Sequence, residues 1–229
     1  MPVGRHAHES SRYRTLRNRL LKAEIGLRDQ RERVAALRRR LPLDTRVEDY
    51  LLQEVALDGA RSARPRRRRL SQLFTRPGAP LVLYQFMYGG AQTKPCPMCS
   101  LWIDGFNGVA KHLAQTMSFA VVAEAEPAAL RRHARDRGWT NLRLLSSAGS
   151  TLKRDLNFED GGKAQFPGVS VFVRRKSGDV RLSYSVSAFL ADGEYRGLDL
   201  LCPVWHVLDL LPAGRGRWMP QLRYGAVRR

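Results

Sequence analysis

The residues best equipped for chemistry are Cys96 and Cys99, in Cys96-Pro-Met-Cys99. A thiolate is a nucleophile and a metal ligand, whereas a thiol is neither. The two intervening residues put Cys99 one helical turn beyond Cys96. From there it can attack a mixed disulfide formed on Cys96. Cys96 is the expected nucleophile and Cys99 the expected resolving thiol. Two plainer readings stay open. Half a zinc site needs two further ligands, and only Cys202, His112, His133 and His206 are on offer, without a second CxxC or an HxxxH. Two buried, inert cysteines are the other. No metal and no cofactor are expected.

The flanking sequence must position the pair. Leu81-Val-Leu-Tyr-Gln-Phe-Met87 is apolar except for Gln85, and too short for a typical helix. It reads as a buried strand. Gly89, Gly90 and Pro95 make the next residues a loop. Cys96 suits an N-cap, with Pro97 at the first helical position, where a missing N–H costs nothing. The unpaired N–H groups of that helix end favour an anion at Cys96. Lys94 adds positive charge nearby. Strand, loop, CxxC and helix together make the layout of a thioredoxin-like redox site.

Further along, Ser118–Ala125 reads as a strand. Pro127 to Arg137 reads as a helix stopped by Gly138, and Asn141–Leu145 as a third strand. This β-α-β-α-β run implies a parallel sheet. Residues 146–166 read as loop with some short helix. Val169–Arg174 and Val180–Val186 form a hairpin around Ser177-Gly-Asp179, and a helix over Tyr195–Leu211 closes the domain. Pro167 precedes the hairpin. In thioredoxin-like folds a cis-proline at that position faces the active cysteine, so Pro167 is expected to be cis. Phe166 would then offer backbone hydrogen bonds to substrate.

Before all this comes a helix from about Ser11 to Leu41, ended by Pro42. Leu16, Leu20, Ala23, Leu27, Gln30, Val34, Leu37 and Leu41 form a heptad seam. Such a seam packs along its own domain or joins two copies, so a homodimer through this helix is an expected partner arrangement. The division expected is a tail and long amphipathic helix over 1–45 and a thioredoxin-like domain over 46–229. A strand is expected around Val47–Val55 and a turn at Asp58-Gly59. Arg61 to Arg69 reads as a solvated basic loop, and Leu70-Ser-Gln-Leu-Phe74 as a short helical turn.

The formal net charge is +19, from 40 basic and 21 acidic residues, mostly arginine. A strongly basic chain attracts polyanions. The arginines are spread throughout, however, and no nucleic-acid motif accompanies them, so specific nucleic-acid binding is not expected. Hydrophobic residues make up 43%, enough for a core, yet no run reaches 18 apolar residues. Three cysteines are too few for a secreted disulfide scaffold. With no signal peptide in the basic, polar first residues, a cytoplasmic location and no membrane partner are expected.

Several segments resemble the DUF899 family, thioredoxin-like proteins of the alkyl hydroperoxide reductase/thiol-specific antioxidant superfamily. They are Leu70-Ser-Gln-Leu-Phe74, Tyr84-Gln-Phe-Met-Tyr-Gly89, Cys96-Pro-Met-Cys-Ser-Leu-Trp102, Phe166-Pro-Gly-Val-Ser-Val-Phe172 and His206-Val-Leu-Asp-Leu-Leu-Pro212. The basic stretch 61–69 and Trp205 before His206 look like local departures. The resemblance implies an α/β, thioredoxin-like fold with a long N-terminal helix, carrying a CxxC site. It implies no substrate.

The expected function is thiol–disulfide oxidoreduction on a disulfide-containing protein or a small-molecule thiol or disulfide. Phe166, Pro167, Thr93 and Trp102 are expected at the substrate site. Thiol peroxidation is the alternative. Thr93 falls three residues before Cys96, as in the peroxiredoxin PxxxTxxC loop, but Gly89 takes the proline position, and Arg143 and Arg154 are among many candidate arginines. A non-catalytic binding protein with a basic surface is the third reading. Cys202, within Leu200-Leu-Cys-Pro-Val204, is expected to be a buried hydrophobe.

Overall fold

The computed structural model describes residues 4, 6–57, 64–191 and 193–225. The chain divides into two units, Met1–Pro42 and Leu43–Arg229. The first unit contains helix α1, Ser11–Arg39, with none of its residues buried. Ser10 caps it by accepting from the Tyr13 N–H at 3.1 Å. Among the described residues no helix is long and apolar enough to cross a membrane.

In the second unit the elements run β1 (Leu51–Val55), β2 (Arg66–Arg69), β3 (Leu81–Phe86), α2 (Pro97–Leu113), β4 (Ser118–Ala123), α3 (Pro127–Arg137) and β5 (Arg143–Ser146). They continue with α4 (Leu152–Asp155), β6 (Glu159–Asp160), β7 (Ala164–Gln165), β8 (Gly168–Arg174), β9 (Val180–Ser187) and α5 (Pro203–Leu208). One mixed sheet has the order β2-β1-β5-β4-β3-β8-β9. The strand pairs β3–β4 and β4–β5 are parallel, and β3–β8 and β8–β9 antiparallel. A crossover helix on one side of a central strand and an antiparallel hairpin on the other make this an α/β, thioredoxin-like fold.

Alternation along the strands feeds two cores. Leu81 and Leu83 of β3, Ala120 and Val122 of β4 and Leu145 of β5 face one side, against Leu52, Leu70, Leu73 and Phe172. Tyr84 and Phe86, Val121 and Ala123, and Leu144 face the other, where Cys99, Trp102, Ile103 and Phe106 of α2 pack. Those helix positions follow a single apolar stripe. Gly138 ends α3 in the left-handed conformation, at φ 70°. The loop after β3 presses on the end of β4. Gly89 has φ 93°, and a Cβ there would lie 2.0 Å from the Ala125 nitrogen.

Four expectations need correction. The basic loop is part strand, since Arg66–Arg69 pairs antiparallel with β1 at the sheet edge. Arginine ladders suit an edge, where charge discourages further pairing. Arg68 also reaches Glu54 at 3.1 Å, and Arg143 holds the same carboxylate at 2.7 Å. The expected Asp58-Gly59 turn lies outside the described residues. Within 146–166 there is a small β6–β7 hairpin besides the short helix α4. The closing helix is broken into a 3-10 turn, Arg196–Leu201, and α5, because Pro203 biases Cys202 to an extended conformation (φ −128°, ψ 116°). Finally, the peptide bond before Pro167 is trans, there being no cis bond among the described residues. Pro167 opens β8 as an ordinary strand-entry proline, its carbonyl taking the Ala188 N–H at 2.9 Å.

Trp139 ties α3 to α2. It is 2% exposed, donates from Nε1 to Asp104 at 2.8 Å and meets Phe86 and His133 edge-on. Trp139→Ala should cost about 3–5 kcal/mol, chiefly through the cavity it leaves, since Arg137 still holds the Asp104 carboxylate. Urea unfolding followed by circular dichroism checks this.

Candidate functional site

Cys96 sits at the N-cap of α2, as its sequence suggests, with φ −66° and ψ 125°, and Pro97 occupies the first turn. Its own N–H donates to Met87 O at 3.1 Å, fastening the helix start to the end of β3. The Cys99 N–H points at Cys96 Sγ at 3.5 Å. Cys96 is half-buried, whereas Cys99 is fully buried, and both are free thiols.

The two thiols differ in acidity because their surroundings differ. Donation from the Cys99 thiol, helped by the backbone N–H groups of Cys99 and Met98, lowers the Cys96 pKa to about 6 against the opposing effect of burial. Burial pushes Cys99 well up, reinforced by its bond to Cys96. At pH 7 the pair is therefore a Cys96 thiolate accepting from a Cys99 thiol. Lys94, expected to supply charge, is exposed. The hydrogen bonds supply the stabilisation instead.

Cys96 opens onto a half-enclosed chamber of about 350 Å³. Its lining includes Met87, Met98, Trp102, Pro167, Phe189 and Trp205, together with Tyr195, Met219, Arg196 and Arg215. Trp102 is held by an Nε1–H bond to Leu198 O at 3.0 Å. Arg215 gives two nitrogens to Asp209, each at 2.6 Å, and a third to Asp199 at 2.7 Å, and stacks on Trp205 at 5.2 Å. Arg196 also bonds Asp199, at 2.8 Å. A larger hollow of about 740 Å³ between Arg46–Asp49 and the β8–β9 turn contains no thiol.

Of the expected substrate residues, Pro167 and Trp102 line this chamber with Cys96. Phe166 stands one layer back. Its ring meets Phe189 edge-on at 6.0 Å, and its N–H is already committed to Phe158 O at 2.9 Å, so that donor is not free for substrate. Thr93 is exposed and lines no part of the chamber. Arg143 is engaged by Glu54 and Arg154 by Asp155. The arginines that line the chamber with Cys96 are Arg196 and Arg215. Cys202 is buried, as expected, and burial raises its pKa. His112 and His206 are exposed.

Behind the cysteines lie two groups: His133, which the sequence offered only as a candidate metal ligand, and Lys153, which it did not single out. His133 on α3 meets Ser100 Oγ at 3.1 Å, and that hydroxyl donates to Cys96 O at 3.0 Å. Burial, then the Arg137 charge, pulls the His133 pKa to about 4, so the ring is neutral at pH 7. Its place beside Leu130 and Ala134 on a helix's apolar face was the available signal. Lys153 of α4 is 2% exposed and donates to Phe86 O at 2.8 Å and Gln165 Oε1 at 2.9 Å. Gln165 in turn donates to Glu124 at 2.6 Å and Gly89 O at 2.8 Å. Burial lowers the Lys153 pKa to about 8. Nothing in the sequence around Lys153 marks it. Among the described residues no three His, Cys, Asp or Glu side chains gather as a metal site.

Several solved structures are similar to this chain. A peroxidoxin BcpB from Mycobacterium tuberculosis is 21% identical over 69% of this chain and 90% of its own, with a TM-score of 0.47. A putative thioredoxin reductase from Burkholderia cenocepacia is 14% identical over 70% and 96%, at 0.49. The mitochondrial 2-Cys peroxiredoxin of Plasmodium falciparum is 14% identical over 78% and 100%, at 0.47. Likeness at this level says nothing about activity. No curated protein matches the chain. The family model for bacterial proteins of unknown function, DUF899, matches residues 3–226, and the chain belongs to that family.

Proposed function

We propose that the protein is a thiol–disulfide oxidoreductase in which Cys96 attacks and Cys99 resolves. The observation that carries this reading is the unequal pair, a Cys96 thiolate stabilised by donors at a helix N-terminus and a buried Cys99 thiol one turn behind it. A thiolate with a pKa just below ambient pH combines availability with nucleophilicity. The Cys96 thiolate attacks a substrate disulfide and expels one thiolate. Cys99 then attacks Cys96 Sγ, the second substrate thiolate leaves, and the Cys99 proton ends on it. The substrate gains two electrons and the protein holds a Cys96–Cys99 disulfide.

Peroxide reduction through Cys96 is the rival. It has less support, because Thr93 is exposed and the arginines near Cys96 are occupied by Asp199 and Asp209.

Titration against glutathione buffers, read by intact mass after alkylation, should show a two-electron transition between about −120 and −270 mV. Thiols that form no disulfide in any buffer would remove this reading. Cys96→Ser should lower disulfide turnover by at least about a thousandfold, since the nucleophile is lost. Cys99→Ser should instead accumulate mixed disulfides on Cys96, visible by mass.

The pH dependence has a definite sign. Below about pH 6 Cys96 is protonated and inert, and above it the thiolate dominates. Its iodoacetamide alkylation rate should rise through a midpoint near pH 6. In Cys99→Ala the principal donor is gone, and the midpoint should move up toward the ordinary thiol value of about 8.5.

A further inference from the structure

We propose that the site's substrate is a small, uncharged, largely aromatic disulfide rather than a peptide or an anionic one. The inference rests on the thiol–disulfide reading and specifies its substrate. The sulfur of Cys96 is reached through a chamber of about 350 Å³, which matches a small molecule and not a folded partner's loop. The walls are Met87, Met98, Trp102, Pro167, Phe189 and Trp205, sulfur-rich and aromatic surfaces that suit a flat ring. The two arginines in the chamber's lining do not make an anion clamp. Arg215 spends three nitrogens on Asp209 and Asp199, and Arg196 shares Asp199, so two cations face two carboxylates and the local charge cancels. A carboxylate on the substrate would enter an apolar space and find no free cation in it. This runs against the chain's overall charge of +19, which by itself favours anions at long range.

Three disulfides separate these effects: 4,4′-dithiodipyridine (aromatic, neutral), 5,5′-dithiobis(2-nitrobenzoate) (aromatic, anionic) and glutathione disulfide (peptidic, anionic). Rates with the reduced protein are divided by rates with free dithiothreitol, which removes intrinsic reactivity. Work at about 0.5 M salt screens long-range attraction. The normalised rate for the neutral compound should exceed the other two by at least about tenfold, the low end of what an apolar pocket discriminates. Phe189→Ala and Met219→Ala, at partly exposed wall positions, should shrink that ratio. A ratio near one, or preference for an anionic disulfide, overturns the proposal and leaves the oxidoreductase reading standing. Failure of all three to react removes both.

A separate observation concerns Cys99. We infer that Lys153 is a positioning residue for the resolving thiol, because both hold the same peptide group. The Lys153 ammonium donates to Phe86 O at 2.8 Å, and the N–H of that same peptide, belonging to Met87, favours the Cys99 thiolate and so works against the burial that raises its pKa. A cation on the carbonyl end polarises the peptide and strengthens its N–H as a donor to the thiolate that must form on Cys99. This inference also needs the two-step reaction. Lys153 keeps its own protons throughout, and the Cys99 proton leaves with the second substrate thiol.

With 4,4′-dithiodipyridine the two steps release one thiopyridone each, so they can be timed separately. Lys153→Gln keeps a donor to Phe86 O without the charge, and Lys153→Met removes both. Lys153→Gln should slow the second release by about tenfold, the gap between a charge-assisted and a neutral hydrogen bond, and Lys153→Met by at least as much. The first release should stay within about twofold, because the donors on Cys96 are untouched. A higher pH should restore the second release by supplying thiolate. Simple loss of packing would show neither the split nor the rescue. An unchanged second release in either folded variant, or no second release even from the unmodified chain, overturns the inference. The latter would also remove the resolving role of Cys99.

Discussion

An ionised sulfur half out of water is unfavourable unless donors meet it, and this requirement organises the structure around Cys96. The donors are the Cys99 thiol and the N–H groups of Met98 and Cys99. They converge only if the helix begins at Pro97, and it begins there because Cys96 is tied to Met87 at the end of β3. The strand in turn is fixed between β4 and β8 with both faces buried. Cys99 pays the corresponding penalty, since the burial that makes it a good donor also raises its pKa. The asymmetry of the pair is thus one arrangement seen from two sides.

Much of this was legible from local signals. Pro97, Pro127 and Gly138 punctuate α2 and α3 because their backbone preferences act without tertiary help. Apolar runs of strand length marked β3, β4 and β5, and the order of helices and strands made the first three core strands parallel. The N-cap role of Cys96 followed from the same rules. The misses have two causes, long-range pairing and one proline passed over. Arg66–Arg69 is a strand only because β1 offers an edge, and no propensity for arginine announces that. The chain around Cys202 was apolar enough to suggest one helix, but Pro203 divides it. The chamber joins residues from positions 87 to 219, a long-range arrangement that a linear pattern does not reveal.

The basic composition also has a structural side. Arginines serve as intramolecular fasteners at several places, with Glu54 held from β2 and β5 at once and Asp199 shared by Arg196 and Arg215. Arg215 uses its planar fork to hold Asp209 with two nitrogens while a third reaches Asp199. A formal charge count therefore overstates how much of the cation is offered to partners around the cysteine pair.

Gly89 carries a consequence for how this sequence can drift. Its backbone lies so close to Ala125 that a single added carbon would collide with main chain, which cannot move aside as a side chain can. The same residue gives its carbonyl to Gln165. Two residues earlier, Met87 anchors Cys96. Descendants of this chain can repaint the chamber walls, lengthen surface loops or exchange arginines. At position 89 every replacement of glycine by another amino acid places a side chain where the main chain just beyond β4 already stands.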